Sequence, residues 1–167
     1  TRREQGVTVN QANPELIQLS TGELLYAIDR RPAEEGVIPW GIAIRRSTDL
    51  GKTWSEEQII YEAGKTGSNG CWEPYFLELP NGSVQCYFAN EGPYTASSEQ
   101  EISVLTSADK GLTWSNTPAK ASFRANFRDG MPTACIFGDN IVMAIEDNAD
   151  GNFKPYTIRT SLTSPWA

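Results

Sequence analysis

An eight-residue pattern that occurs twice constrains the fold of this chain more than any other feature. Residues 47–54 read Ser-Thr-Asp-Leu-Gly-Lys-Thr-Trp, and residues 107–114, 60 positions later, repeat Ser-x-Asp-x-Gly-x-Thr-Trp. An Asp followed two residues later by Gly is typical of a turn, because a short carboxylate accepts backbone N–H groups and Gly adopts positive φ readily. Alternating apolar residues precede both copies, which indicates strands. Each copy is therefore predicted to be the tip of a β-hairpin.

The repeat extends beyond this pattern. An offset of 60 also pairs Pro14 with Pro74 and Gly22 with Gly82. Each unit reads as four short strands separated by turns, with the first strand starting after the repeated Pro, and no segment has a helical period. Such units predict all-β, four-stranded antiparallel meanders, the blades of a β-propeller. We predict blade 1 at about 12–62, blade 2 at about 72–123 and a partial blade 3 at about 130–167.

The chain length is too small for a closed ring of such units. A chain of 167 residues holds fewer than three repeats, whereas propellers usually close with four to eight blades. We therefore expect one part of a single propeller domain. Because an incomplete ring leaves sheet faces and edges open, the expected partners are the remaining blades or a second chain.

Charge and hydropathy exclude several classes of function. The formal net charge is −7 and there is no histidine, which argues against a nucleic-acid binder and removes His as a base or metal ligand. No run of about 18 apolar residues is present, so no membrane partner is expected, and the N-terminus shows no retained signal peptide. No calcium-loop spacing occurs. We expect no metal or cofactor, and an exported protein, extracellular or periplasmic.

The three cysteines do not suggest a disulfide framework. Cys71, Cys86 and Cys135 are odd in number and match no zinc-site spacing. Buried free thiols are the expectation for all three, in preference to a disulfide.

The meander geometry separates structural from functional positions. With strands A to D numbered outward from the ring axis, the start of A, the end of B and the start of C share one face, and the A–B and C–D turns lie on the other. The repeated pattern forms C–D turns and is therefore predicted to be structural. Its predicted structural residues are Ser47, Asp49, Gly51 and Trp54, and Ser107, Asp109, Gly111 and Trp114.

The functional face carries two glutamates on neighbouring blades. Glu73 precedes the repeated Pro at the start of a strand A, and Glu146 ends a strand B. Paired carboxylates are what glycoside hydrolysis uses, one as a protonated acid and one to attack or to activate water. Burial and the aromatic neighbours of Glu73 are expected to raise its pKa toward the acid role. The alternative is that these glutamates belong to an ordinary polar rim.

The repeated pattern resembles the Asp-box of sialidases and of other bacterial-neuraminidase-repeat propellers, in which the box is a structural clip. Residues 70–75 (Gly-Cys-Trp-Glu-Pro-Tyr), 128–132 (Arg-Asp-Gly-Met-Pro) and 145–147 (Ile-Glu-Asp) are also similar to glycoside hydrolases of the exo-α-1,5-L-arabinanase type. That resemblance implies a six-bladed sialidase-like propeller that releases arabinobiose from arabinan ends with retention. It further implies Glu73 and Glu146 as the catalytic pair, with acid/base and nucleophile as the favoured order and the reverse left open.

Further residues on the same face are candidates for binding a carbohydrate. Trp72 and Trp40 lie on the loop-bearing face and are predicted to stack on sugar rings. Asn13, Arg128 and the reserve carboxylate Glu91 complete the predicted substrate-binding set.

The substrate class follows from what the sequence lacks. Sialidases clamp a carboxylate with three arginines, and bidentate Arg suits that task. Here only Arg30 and Arg128 are expected near the channel mouth, and no Phe-Arg-Ile-Pro motif is present. We therefore predict an exo-acting glycosidase on a neutral sugar polymer such as arabinan. The alternatives are a sialidase, and a non-catalytic Asp-box propeller that binds glycan or protein.

Overall fold

The chain folds entirely into strands and turns. A computed structural model describes residues 1–166, and one 3-10 turn, Gly67–Asn69, is the only helical element in that range. No helix there is long and apolar enough to cross a membrane. The strands are β1 (Arg2–Glu4), β2 (Val7–Gln18), β3 (Leu24–Pro32), β4 (Gly41–Ser47), β5 (Gln58–Glu62), β6 (Cys71–Glu78), β7 (Val84–Asn90), β8 (Glu101–Ser107), β9 (Ala119–Ser122), β10 (Asp129–Phe137), β11 (Asn140–Asp147) and β12 (Lys154–Ser161).

The strands form three antiparallel meanders. The first sheet has the order β1-β2-β3-β4-β5, the second β6-β7-β8-β9, and the third β10-β11-β12. The predicted all-β architecture of consecutive antiparallel meanders is confirmed. The first sheet starts earlier than position 12, because β2 reaches back to Val7 and pairs with β1. Ala167, the last position of the expected third blade, lies outside the described residues.

A bulge interrupts the inner strand of every sheet at the same place. One extra residue separates Ala12 from Glu15 in β2, and the same shift recurs in β6 and β10. The residue before each repeated Pro has positive φ, and these residues are Asn13 (46°), Glu73 (59°) and Met131 (51°). A non-glycine residue there costs about 1–3 kcal/mol and is typical of functional sites. The strands continue through the Pro positions, so the prediction that they start afterwards was wrong.

The core lies between the sheets. The first and second sheets enclose one cluster, which includes Leu25, Ile44 and Phe88. The second and third enclose another, which includes Tyr87 and Met143. All seven residues of β7 are buried, because side chains alternate between two covered faces. The outer faces of the first and third sheets are open in this structure.

The two Asp-boxes are closed by the same hydrogen bonds. Ser107 Oγ donates to Asp109 Oδ1 at 2.8 Å and accepts from Gly111 N at 2.7 Å. Asp109 also accepts from Thr113 N at 2.8 Å and from Thr113 Oγ1 at 2.6 Å. The box at residues 47–54 repeats these contacts. Each box therefore stabilises a turn between two strands, on the opposite face of the meander from the predicted site residues.

Replacing Asp109 by Asn tests the box. The hydrogen bonds from Thr113 and Ser107 lower the pKa of Asp109 to about 2. A depressed pKa contributes stability above the unfolded value near 3.9, and this is lost as pH falls toward 2. Asp109→Asn should therefore lower the thermal midpoint at pH 7, with a difference that shrinks at acid pH. If the substitution lowered the thermal midpoint equally at pH 7 and near pH 2, the charge of Asp109 would have no role in stability. Asp49→Asn should behave alike.

The cysteine prediction holds for two of the three residues. Cys71, Cys86 and Cys135 are free, and the first two are fully buried. Burial raises the pKa of both buried thiols. Cys135 is exposed, so its expected burial was wrong. It alternates along β10 with Ala134 and Ile136, which pack against the second sheet, and it therefore points to the open face.

Candidate active site

A cleft of about 380 Å³ opens where the inner strands of the second and third sheets begin. Its position agrees with the meander geometry, which brings starts of strand A and ends of strand B to one face. Nine of the twelve strands described, and both boxes, contribute no residue to its lining. The predicted site residues that line the cleft are Trp72, Glu73, Glu91, Arg128 and Glu146.

The two candidate catalytic glutamates flank one glycine. Glu73 Oε2 accepts a hydrogen bond from Met131 N at 2.7 Å, so the carboxylate of the second sheet reaches the third. Glu146 is the cross-strand partner of Gly130, the residue before Met131. A Cβ at Gly130 would lie 3.5 Å from Glu73 Oε2 and 3.0 Å from Gln100 Nε2. Glycine at position 130 therefore leaves room beside Glu73.

The surroundings of Glu73 favour its neutral form. Burial raises the pKa of Glu73, and the charges of Glu146 and Asp29 raise it further. The Met131 N–H and Arg31 oppose the rise without cancelling it. Because desolvation disfavours the carboxylate, Glu73 holds its proton to higher pH than an ordinary glutamate. This is the property that a general acid needs.

Glu91 and Arg128 form a closed pair in the wall of the cleft. Glu91 is 4% exposed, binds the Arg128 guanidinium and accepts from Trp72 Nε1 at 3.3 Å. Arg128 also donates to Ser98 O at 2.8 Å and to Gln100 Oε1 at 2.7 Å. The charge of each partner is thus neutralised, and the guanidinium is held in place by three groups. Glu91 orients Trp72 and Arg128 in this structure.

Trp72 is supported from the first sheet. Its ring centroid lies 4.8 Å from that of Trp40, at an interplanar angle of 59°, and Arg31 Cζ lies 5.1 Å from it on one face. Arg31 in turn donates to Asp29 at 2.6 Å and to Asn13. Trp40 and Asn13, both predicted to bind substrate, do not line the cleft. Trp40 packs on Trp72, and Asn13 holds the arginine that covers it.

Arg30 was expected near the channel mouth, but the structure places Arg31 there instead. Arg30 is 1% exposed and pairs with Glu57 at 3.2 Å and with Glu4. Arg31 faces the site because successive side chains on β3 point to opposite faces. The N-terminal hairpin, which supplies Glu4, was absent from the sequence-based assignment, so a partner for Arg30 was not foreseen.

Several cleft residues were missed by the sequence argument. They are Gly67, Gln100, Gly130 and Phe153. Gln100 lies just before β8, at the start of a strand C, and donates to Asp129 O at 2.7 Å. The rule that strand C starts share the functional face would have found it. For residues 1–166, no cluster of three or more His, Cys, Asp or Glu could hold a metal ion.

The fold and cleft define a repeat-built β-propeller, and the comparisons name its family. A family model described as a BNR repeat-like domain matches residues 7–143. The chain therefore belongs to the BNR repeat-like family. It is also similar to a sialidase of Micromonospora viridifaciens, with 34% identity over 122 residues, which are 64% of this chain and 19% of that protein.

Solved structures show the same architecture. The α-L-arabinofuranosidase of Fusarium graminearum with arabinobiose matches with a TM-score of 0.72 at 21% identity, over 94% of this chain and 47% of that one. The α-L-arabinanase of Penicillium chrysogenum with arabinobiose gives 0.70 at 19%, over 94% and 48%. A Hadza microbial sialidase gives 0.68 at 21%, over 89% and 34%. The sialidase-like propeller fold is thereby confirmed, and the chain spans about half or less of these relatives.

Proposed function

We propose that this chain provides the catalytic cleft of an exo-acting, retaining glycoside hydrolase for a neutral oligo- or polysaccharide such as arabinan. The observation that carries the proposal is that Glu73 and Glu146, from neighbouring sheets, line one cleft on either side of Gly130. The similarity to a sialidase and to arabinan-related propellers supports it.

The proposed mechanism assigns one step to each carboxyl group. Glu73, whose pKa is raised by burial, acts as the acid and donates its proton to the glycosidic oxygen while the Glu146 carboxylate attacks the anomeric carbon. The leaving group departs and a glycosyl ester with Glu146 remains. Glu73, now ionised, takes a proton from water, which attacks the ester and releases the sugar. Two displacements restore the original anomeric configuration.

The charges of the cleft favour a neutral substrate. Glu91 and Glu146 line it against Arg128, the one cation among its lining residues, which is already paired with Glu91. An anionic sugar would lie beside carboxylates without an unpaired guanidinium to bind it. Binding a carboxylate as sialidases do requires free bidentate arginines, and Arg31 is engaged by Asp29. Trp72 offers a rigid ring for a sugar face.

We also propose that further blades complete the ring. The chain covers 47% of one arabinofuranosidase and 48% of one arabinanase, and the outer faces of its first and third sheets expose large apolar side chains, with Leu16 57% and Phe137 77% exposed. The remaining blades would cover these faces. An extracellular or periplasmic location is proposed with this, because polymeric sugars do not cross membranes.

A substrate panel tests the proposal. A protein that contains this chain together with the proposed further blades, here called the completed propeller, should hydrolyse an aryl α-L-arabinofuranoside. It should also shorten linear arabino-oligosaccharides from the chain end. NMR should show that the first-formed product keeps its anomeric configuration. The matched aryl sialoside should not react. Preferential sialoside cleavage would establish the sialidase alternative. Saturable binding of oligosaccharides without turnover would support a non-catalytic propeller instead.

A further inference from the structure

Two buried aspartates face each other next to the cleft. Asp129 on β10 and Asp147 on β11 are both 0% exposed, and they are cross-strand partners. Their pair directly precedes the Gly130–Glu146 pair on the same ladder. Because side chains alternate along a strand, the aspartates point to the opposite face from Glu146. They lie between the second and third sheets, where Ser122 of β9 donates to Asp129.

The two carboxyl groups have one acceptor atom more than the surrounding donors can satisfy. Asp147 Oδ1 accepts from Ala149 N at 2.6 Å, and Asp129 Oδ2 accepts from Ser122. The buried atom Asp129 Oδ1 has no hydrogen-bond donor within residues 1–166, whereas Asp147 Oδ2 is paired with the Arg124 guanidinium. The two fully buried side chains belong to cross-strand partners and therefore lie side by side on one face of the sheet. A single carboxyl proton on Asp129, donated to Asp147, would give Asp129 Oδ1 a partner, and buried polar atoms are rarely left without one.

The charge balance leads to the same result. Arg124, in the β9–β10 connection, forms an ion pair with Asp147 and lies with its Cζ 4.6 Å from the Tyr156 ring centroid. Asp150 also interacts with Arg124. Glu146 and Arg128 flank the pair in sequence and face the cleft. One guanidinium thus serves two buried carboxyl groups on cross-strand partners, and ionising both would be costly because the like charges repel and lack water.

The pKa directions agree with one shared proton. Burial and the neighbouring Asp147 raise the pKa of Asp129 to about 6. Burial opposes the ionisation of Asp147, but hydrogen bonds from Asp129 and the Ala149 N–H, together with Arg124, lower its pKa. A raised folded-state pKa contributes stability that is full below the unfolded value, near 3.9, and is lost as pH rises through about 6.

We propose that Asp129 and Asp147 share one proton and that this bridge is a positioning element, which holds the ladder that carries Gly130 and Glu146. The hydrogen bond from Ser122 to Asp129 joins it to the second sheet. The role of the bridge in catalysis rests on the proposed function, whereas the shared proton does not. Loss of the proton places two carboxylates against each other one residue from the cleft. The β10–β11 end and the Glu146 carboxylate are then held less firmly.

Matched asparagine variants test the shared proton. In Asp129→Asn, the amide can accept from Ser122 and donate to Asp147, so it replaces the protonated acid. Unfolding measured from pH 4 to pH 8 should show that wild type loses stability until pH has risen through about 6. Asp129→Asn should lack this loss and should equal or exceed wild type above that pH. Asp147→Asn should be less stable at every pH, because Arg124 loses its carboxylate. Asp139→Asn, at an exposed turn, is the control.

Equal destabilisation by both variants, with the wild-type pH slope retained in Asp129→Asn, would overturn the proposal. A carboxyl ¹³C NMR titration of the wild-type protein gives an independent answer that does not depend on any variant folding. It should show one aspartate titrating near pH 6, and its absence would also overturn the proposal.

The positioning role has its own readout. Besides the limb that Glu73 sets, wild-type kcat should show a separate decline as pH rises through about 6, and Asp129→Asn should lack this decline with KM unchanged. A wild-type kcat profile in Asp129→Asn would contradict positioning. If the stability asymmetry appears in a protein that hydrolyses no glycoside, the shared proton is supported and the proposed function fails. The two proposals are therefore distinguishable.

Discussion

Replacing Glu146 by Gln is expected to reduce kcat by at least roughly 10⁴-fold, because the amide cannot form the glycosyl ester. Glu73→Gln is expected to cost roughly 10²–10⁴-fold on substrates whose leaving group needs a proton. Both variants should unfold at nearly the wild-type temperature, since both side chains line the cleft outside the two core clusters. The measurement is steady-state hydrolysis of arabino-oligosaccharides by the completed propeller.

Leaving-group dependence separates the two roles. An aryl oxide with a low pKa departs without a proton, so Glu73→Gln should keep much of its bond-cleaving rate on an activated aryl glycoside, whereas Glu146→Gln should not. The reverse pattern would exchange the assignments. Because the pKa of Glu73 is raised by burial, wild-type activity should fall as pH rises through that raised value, and this limb should be absent in Glu73→Gln.

The exposed residue Glu34 provides the matched control, since Glu34→Gln makes the same chemical change outside the cleft. It should leave kcat and KM unchanged. Wild-type turnover in both Glu73→Gln and Glu146→Gln would show that the site assignment is wrong, whatever the substrate.

Trp114→Ala should destabilise the chain by about 3 kcal/mol, whereas Trp54→Ala should cost less than about 1 kcal/mol. The two tryptophans occupy the same position in the two boxes. Trp114 packs on the cluster between the first and second sheets, with its ring centroid 6.1 Å from that of Phe76. Trp54 contacts Tyr26 on the open face of the first sheet and is 37% exposed. Denaturant unfolding of the two variants measures the difference.

The difference in stability cost between Trp114→Ala and Trp54→Ala should disappear when further blades complete the ring. Trp166, which follows the third meander, extends this arrangement, because it packs on the cluster between the second and third sheets and donates to Tyr87 OH at 2.8 Å. Trp114 and Trp166 therefore each pack toward the sheet that precedes their own in the chain. In the complete propeller, Trp54→Ala should become nearly as costly as Trp114→Ala. A cost that stays small there would contradict the coverage of this face by another blade.

Much of the architecture could be predicted because its causes are local. The Ser, Asp, Gly and Thr of each box lie within a few positions of one another, so their turn is encoded in a short segment, and the 60-residue offset repeats it. The alternation of strands and turns then placed Glu73 and Glu146 at one mouth, and both line the cleft. Their catalytic roles remain predictions.

The errors occurred where a side chain's environment comes from elsewhere in the chain. Arg30 was expected near the mouth, but the alternation of β3 and the N-terminal hairpin bury it against Glu4 and Glu57. Cys135 was expected to be buried, but the face it occupies has no neighbouring sheet in this structure. Trp40 packs on Trp72 and does not line the cleft, and its contact with substrate stays a prediction. None of these partners lies nearby in sequence.

The sequence by itself determined the repeat, the turn chemistry of the boxes, the strand order within each meander and the face on which the site lies, because each depends on residues close together in the chain. Only the tertiary structure decided which carboxyl groups meet. Glu73 of the second sheet reaches Met131 of the third, Glu91 is paired with Arg128, and Asp129 is the cross-strand partner of Asp147. The raised pKa values of Glu73 and Asp129 depend on burial and on charges brought close by folding, and neither exists in the unfolded chain.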